Sequence, residues 1–220
     1  VTALTLPAGE VHIWQTHLDP GPDQLERLHS LLSPDEQARA ARYRFAEHAR
    51  RFTAARGRLR ELLAAYLGCE PAGIQFRYGA SGKPAVASGT DLRFNVSHSE
   101  DVALYAFALG REVGIDIERI RADLRWERIA RRYYSAAEQE LLRTLPPELR
   151  AAAFFQFWTR KEAYLKARGE GLRFGRLHAE ADCDAAWWVV TLEAPVGFAA
   201  TLVVAGREPL PVLRRMTQLR

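Results

Sequence analysis

Val102-Ala-Leu-Tyr-Ala-Phe-Ala-Leu109 is an unbroken apolar run of strand length; Gly110-Arg111 closes it, and Val113-Gly-Ile-Asp-Ile-Glu118 follows almost at once. A run this short, bounded by a glycine turn, reads as a buried strand turning into a second strand. Working outward, Leu92–Val96 and Glu10–His17 read as further strands. Ser33-Pro34-Asp35-Glu36 is a helix start, with a serine cap, proline at the first helical position and acids in the first turn. Arg50 to Leu67 has a helical apolar face of Leu59, Leu62, Leu63, Tyr66 and Leu67, and Gly68 stops it. Tyr78 to Pro84 is a turn-rich loop. Downstream, two short helices are predicted near Leu124–Tyr133 and Ala136–Leu145. Pro146-Pro147 then breaks the chain ahead of a long helix, Arg150–Arg168, whose core side is Phe154, Phe157, Trp158 and Leu165. Gly169 and Gly171 end that helix, and Trp187–Leu192 with Phe198–Ala205 reads as a hairpin. This order predicts an α+β fold with antiparallel pairs.

The chain is long enough, at 220 residues, to bury a core without staples. Apolar residues at 48% and charged residues at 26% exclude a disordered, collagen-like or heptad coiled-coil chain. Cys69 and Cys183 stand far apart without C-x-x-C spacing, so neither a disulfide framework nor a zinc site is expected, and a reducing, cytoplasmic setting fits. No transmembrane run and no secretory signal are visible. The net charge is +4, and the basic residues are nearly all Arg; the only lysines are Lys83, Lys161 and Lys166. Arg binds phosphate bidentately, although heavy Arg and Ala usage also follows from a GC-rich genome.

Four motifs could carry chemistry. In Gly114-Ile-Asp-Ile-Glu118, strand alternation puts Asp116 and Glu118 on one face, about 6.5 Å apart along the strand, with Ile115 and Ile117 in the core. Two such carboxylates repel, and a hard divalent cation would remove the repulsion; a half-exposed polar strand face fits the same residues. In Trp158-Thr-Arg-Lys-Glu-Ala-Tyr-Leu-Lys166, Glu162 and Lys166 share a helix face, either as a surface ion pair or as a third carboxylate with a phosphate-facing cation. Phe94-Asn-Val-Ser-His-Ser99 presents Ser97, His98 and Ser99 at a strand end, for phosphate or ribose hydrogen bonds or merely for turn capping. Gly82-Lys83-Pro84 puts a point charge in a loop that is not a P-loop. The arginines between Arg39 and Arg60 make a solvated helix surface from which one or two could reach a phosphate. Intervening acids, and the lack of a recognised motif, argue against nucleic-acid binding.

The order of these four motifs, from about Ser33 to Leu172, resembles that of the 4′-phosphopantetheinyl transferases of the large monomeric, Sfp (surfactin) type. The resemblance implies a monomer of two similar halves, 1–110 and 111–220, each a small mostly antiparallel sheet on a long helix. Coenzyme A would bind in the cleft between them. It implies transfer of the phosphopantetheine arm to a serine of an apo carrier protein of acyl, peptidyl or polyketide type, with release of 3′,5′-ADP. By the same resemblance, Asp116, Glu118 and Glu162 match Mg²⁺ ligands, with Mn²⁺ as the alternative ion. Glu162 is the candidate general base, and Lys166 the cation on the phosphates and leaving group. Lys83 matches a contact near the adenine, and Ser97 and His98 contacts to phosphate, His98 better when cationic. Arg51 and Arg56 are carried over as phosphate or adenine contacts. No nucleic acid or membrane partner is implied. Two other readings stand beside this one: a metal-dependent phosphodiesterase acting on nucleic acid, and a catalytically silent carrier-protein-binding relative.

Overall fold

The computed structural model describes residues 3–87, 89–123, 125–170, 186–206 and 210–215. Gly171, Leu172, Cys183 and Leu124 lie outside the described residues. In chain order the elements are β1 (Glu10–His17), α1 (Pro22–Ser30), α2 (Pro34–Ala41), α3 (Ala46–Leu67), β2 (Phe76–Tyr78), β3 (Pro84–Val86), β4 (Leu92–Ser99), β5 (Val102–Leu109) and β6 (Val113–Arg119). Then come α4 (Trp126–Tyr133), α5 (Ala136–Thr144), α6 (Pro147–Arg168), β7 (Trp187–Thr191), β8 (Phe198–Ala205) and β9 (Leu210–Arg215). The α+β class and the two sheet-on-helix units are as expected.

The unbroken apolar character of β5 has a direct cause: both of its faces are covered. Ala103, Tyr105 and Phe107 point toward α3 and pack with Leu59, Leu62 and Leu63. Val102, Leu104, Ala106 and Ala108 point the other way, onto Val113, Ile115 and Ile117 of β6 and Ala200, Leu202 and Val204 of β8. The first sheet runs β4-β5-β1-β9 and the second β6-β8-β7. They lie face to face with an apolar layer between them, α3 outside one and α6 outside the other. Each large side chain in that layer contributes about 1.5–3 kcal/mol of burial free energy. Gly57 lets α1 sit directly on α3, because a Cβ there would stand 2.8 Å from the Leu28 carbonyl oxygen.

Two departures from the sequence reading bear on the site. The Tyr78–Pro84 loop is the tip of a short antiparallel hairpin, β2–β3. The last strand, β9, runs parallel to β1, Glu10 opposite Leu210, so residues of the 111–220 half complete the sheet of the 1–110 half. Between the sheets, β4 meets β6 through side chains: Asn95 Oδ1 accepts from the Ile115 N–H at 2.8 Å, Ser97 Oγ from Ile117 at 3.3 Å and Ser99 Oγ from Arg119 at 3.0 Å. Every second residue from Asn95 to Ser99 thus stitches the seam.

Candidate active site

Gly114 sets the geometry. A Cβ on it would lie 2.0 Å from the Ala163 carbonyl oxygen and 2.4 Å from the Ala167 amide nitrogen, so only glycine lets α6 press against β6 this closely. The contact brings the helix turn bearing Glu162 and Lys166 onto the face of β6 that carries Asp116 and Glu118. Asp116 and Glu162 are buried, at 3% and 7% exposure, while Glu118 and Lys166 are half-buried. The Lys166 ammonium donates to Asp116 Oδ1 at 2.5 Å and to Ser97 Oγ at 2.9 Å, and the Ser97 hydroxyl donates to Asp116 Oδ1 at 2.7 Å. The Ser99 hydroxyl donates to Glu118 Oε2 at 2.8 Å.

The electrostatics are those of crowded acids. Burial pushes the Glu162 carboxyl up to about 7; Asp116 and Glu118 add repulsion, and Lys166 opposes it. Burial also raises Asp116, against the pull of Lys166 and Ser97. Glu118 is raised by burial and by Asp116, with Ser99 opposing. Asp116 Oδ2 and Glu162 Oε1 are buried without a hydrogen-bond partner. An unmet buried carboxylate oxygen is costly until a proton or a cation satisfies it. Among the described residues no group of three His, Cys, Asp or Glu side chains forms a ready-made metal cage.

On the first half, the structure gathers His98, Arg51 and Arg56 along one trough. A cleft of about 340 Å³ is lined by His48, Arg51, Phe52, His98 and Ser99, and one of about 220 Å³, sharing Tyr43, Phe52 and His98, adds Arg39, Arg56 and Pro84. The protein packed around the His98 ring lowers its pKa; Lys166 and Arg51 add to this, and Asp116 opposes. Protonation of the imidazole is thus disfavoured in the free protein, and a bound anion would favour it. Arg51 pairs with Glu47 at 2.6 Å. Arg56 keeps a buried, unpartnered Nη1 while its Nε lies 3.4 Å from Glu36.

Lys83 does not line that trough. Its ammonium donates to Glu112 Oε2 and to the Val113 and Ala167 carbonyls, at 3.1, 3.1 and 3.2 Å, bracing the β2–β3 hairpin against β6 and the end of α6. Burial lowers its pKa, and Glu112 opposes the shift. Ser97 is buried within the Asp116–Lys166 group rather than open to the trough.

Three further features were not drawn from the sequence. Ser99 anchors Glu118, and the period-2 spacing from Ser97 was its signal. Glu36 is buried against Arg60, with Nε–Oε2 at 2.7 Å, while Arg60 also donates to the Pro71 and Ile74 carbonyls. Lys161, the third lysine, pairs with Glu138 at 2.9 Å and locks α5 onto α6 beside Glu162.

The motifs and their geometry agree with what the chain is similar to. The family model described as 4′-phosphopantetheinyl transferase superfamily matches residues 112–202, and one described as 4′-phosphopantetheinyl transferase, N-terminal, matches residues 16–109. The 4′-phosphopantetheinyl transferase HetI of Nostoc sp. is 48% identical over 172 residues, covering 77% of this chain and 73% of the relative. The 4′-phosphopantetheinyl transferase psf-1 of Bacillus pumilus is 36% identical over 153 residues, 69% of this chain and 64% of that protein. The 4′-phosphopantetheinyl transferase AcpT of Salmonella typhi is 45% identical over 92 residues, 42% and 48% of the two chains. These matches give no support to the nucleic-acid phosphodiesterase or to the silent carrier-binding relative. Matched in both halves, and nearly half identical to a relative over most of its length, this chain belongs to the 4′-phosphopantetheinyl transferases.

Proposed function

We propose that this transferase moves the phosphopantetheine arm from coenzyme A to a carrier-protein serine at the Asp116–Glu118–Glu162–Lys166 group. The observation that carries the reading is the charge balance of that group. Three carboxylates face one ammonium, and two buried carboxylate oxygens have no partner. Ionised, the group is two negative charges in excess, which suits one divalent cation. The donor set suits Mg²⁺, or Mn²⁺, by its chemistry: Mg²⁺ takes hard oxygens, commonly one or two carboxylates with phosphate and water completing the shell, so no preformed cage is required. Asp116, Glu118 and Glu162 would hold it. When bound, the ion supplies charge neutralisation on the diphosphate.

The chain's own groups do the rest. Glu162, whose Oε1 has no hydrogen-bond partner, takes the proton of the incoming serine hydroxyl. The serine oxygen bonds to the β-phosphorus of coenzyme A as the bond from that phosphorus to the 3′,5′-ADP oxygen breaks. Lys166 meets the charge that develops on the departing phosphate, and Ser97 holds both Lys166 and Asp116 in place. Arg51, Arg56 and His98 bind the nucleotide phosphates along the trough, and the Lys83 hairpin borders the adenine end. Both halves contribute to the site within one chain, which favours a monomer of the Sfp type. No helix among the described residues is long and apolar enough to cross a membrane. A cytoplasmic location and acyl, peptidyl or polyketide carriers follow from the same reading; the net +4 chain would be steered to acidic carriers by charge.

The test is direct. The full chain, incubated with coenzyme A, Mg²⁺ and a panel of apo carriers, should add one phosphopantetheine mass to a carrier serine. Asp116→Ala should abolish the addition while retaining the fold. Near-normal transfer by that variant would overturn the metal assignment.

A further inference from the structure

We propose that Ser99 is a positioning residue for the reaction, fixing the Glu118 carboxylate through a hydroxyl whose orientation the seam between the two sheets dictates. This rests on the metal reading given above and adds to it a residue that acts on the ion through Glu118.

The hydroxyl of Ser99 has one proton to give. Its oxygen accepts the Arg119 N–H at 3.0 Å, which occupies one lone pair, and its proton goes to Glu118 Oε2 at 2.8 Å. Ser97, two residues earlier on the same face of β4, repeats the arrangement: it accepts from Ile117 N–H and donates to Asp116 Oδ1. Each serine therefore takes a backbone amide from one residue of β6 and hands its proton to the carboxylate immediately before that residue. Asn95 continues the seam to Ile115 but serves no carboxylate, because position 114 is glycine.

Glu118 needs such an anchor more than Asp116 does. Asp116 is short, buried and held by Lys166 as well. Glu118 is longer, half-buried near the exposed end of β6, and lies beside the like charge of Asp116. Repulsion and the gain of solvation both favour swinging its carboxylate out to water. Among the hydrogen bonds of the described residues, the one from Ser99 is the bond that opposes this swing. Outer groups that orient a metal ligand typically carry a 10–100-fold effect on metal affinity.

The experiment measures metal binding without turnover. Mg²⁺ is titrated calorimetrically into the full chain with coenzyme A present and no carrier. Ser99→Ala is expected to weaken Mg²⁺ binding by about 10–100-fold. Coenzyme A is kept saturating for each variant, its affinity being measured first without metal, because Ser99 also lines the trough. Ser99→Thr, which keeps the hydroxyl on a β-branched frame suited to a strand, should recover most of the affinity. In a Glu118→Gln background, Ser99→Ala should add little, since the two act as one unit. Should the alanine variant fail to fold, Ser99→Cys, similar in size and a poor donor, carries the same expectation. Wild-type Mg²⁺ affinity in Ser99→Ala (or Ser99→Cys), or full additivity with Glu118→Gln, overturns the proposal. The parent reading fails separately: it falls if Asp116→Ala binds Mg²⁺ normally, whereas loss in Asp116→Ala with no change in Ser99→Ala removes only the role of Ser99.

Discussion

Replacing Gly114 by alanine tests the packing on which the whole site depends. The added methyl would stand 2.0 Å from the Ala163 carbonyl oxygen, 2.4 Å from the Ala167 amide nitrogen and 2.9 Å from the Ala167 Cα. All three are main-chain atoms of a helix, so no rotamer change relieves the clash. Ordinary contact begins near 3.4 Å, so α6 must retreat from β6 by about 1 Å or more. Overpacking of this kind costs about 1–3 kcal/mol, which for a chain of this size lowers Tm by roughly 2–12 °C. The effect on catalysis should be larger. Ala163 and Ala167 directly follow Glu162 and Lys166, so the retreat carries with it both side chains of the proposed site. A 1 Å misplacement costs about 100-fold in rate. The assay pairs a thermal melt with kcat/KM for carrier modification. The expected pattern is a folded protein with a modest Tm loss and at least a 100-fold drop in kcat/KM. A Gly114→Ala enzyme with wild-type kcat/KM would refute the claim that this close approach places the catalytic group.

Four other outcomes are expected. Glu36→Ala strands Arg60, 1% exposed, without its carboxylate and should cost about 3–5 kcal/mol, read as a lower denaturant midpoint at unchanged slope; a midpoint within error of wild type would show the pair to be dispensable. Because burial holds Glu162 up to about 7, and Asp116 and Glu118 shift the same way, metal-free protein should lose stability as pH rises from the ordinary carboxylate range through 7. Mg²⁺ binding at pH 7 should then release roughly half a proton from Glu162, seen as buffer-dependent calorimetric heat that fades by pH 9; heats independent of buffer at pH 7 would contradict it. Arg51→Ala should raise KM for coenzyme A by about 10–100-fold with little change in kcat, as expected for a ground-state phosphate contact, and an unchanged KM would remove it from the trough.

Much of this arrangement was legible in the residues. The double-sided burial of β5 showed as an unbroken apolar run, and the shared face of Asp116 and Glu118 as simple alternation. The long helices followed from their period and from Gly68 and Gly169, both of which adopt left-handed caps. Other parts were hidden for physical reasons. Leu210-Pro-Val-Leu-Arg-Arg215 holds a proline and two arginines in six residues, and its strand character comes from a partner some 200 residues away. Glu36 sits in a helix-start pattern that normally faces water, and only tertiary packing puts Arg60 over it. Lys83 read as a point charge in a loop with no partner visible in sequence; its contacts in the fold are Glu112 and two carbonyls that only the tertiary structure brings to it. Ser99 looked like a cap because the strand it stitches lies across a sheet boundary.

The parallel pairing of β9 with β1 has a consequence for biogenesis. The edge of the first strand that β9 covers stays bare until residues 210–215 emerge, long after the other strands of its sheet have been made. At about 5–20 residues per second, that interval is roughly 10–40 s. The amino-terminal sheet is thus finished only once Leu210–Arg215 has emerged, and a chain halted or clipped before Leu210 would expose an unpaired β-edge, a template for self-association.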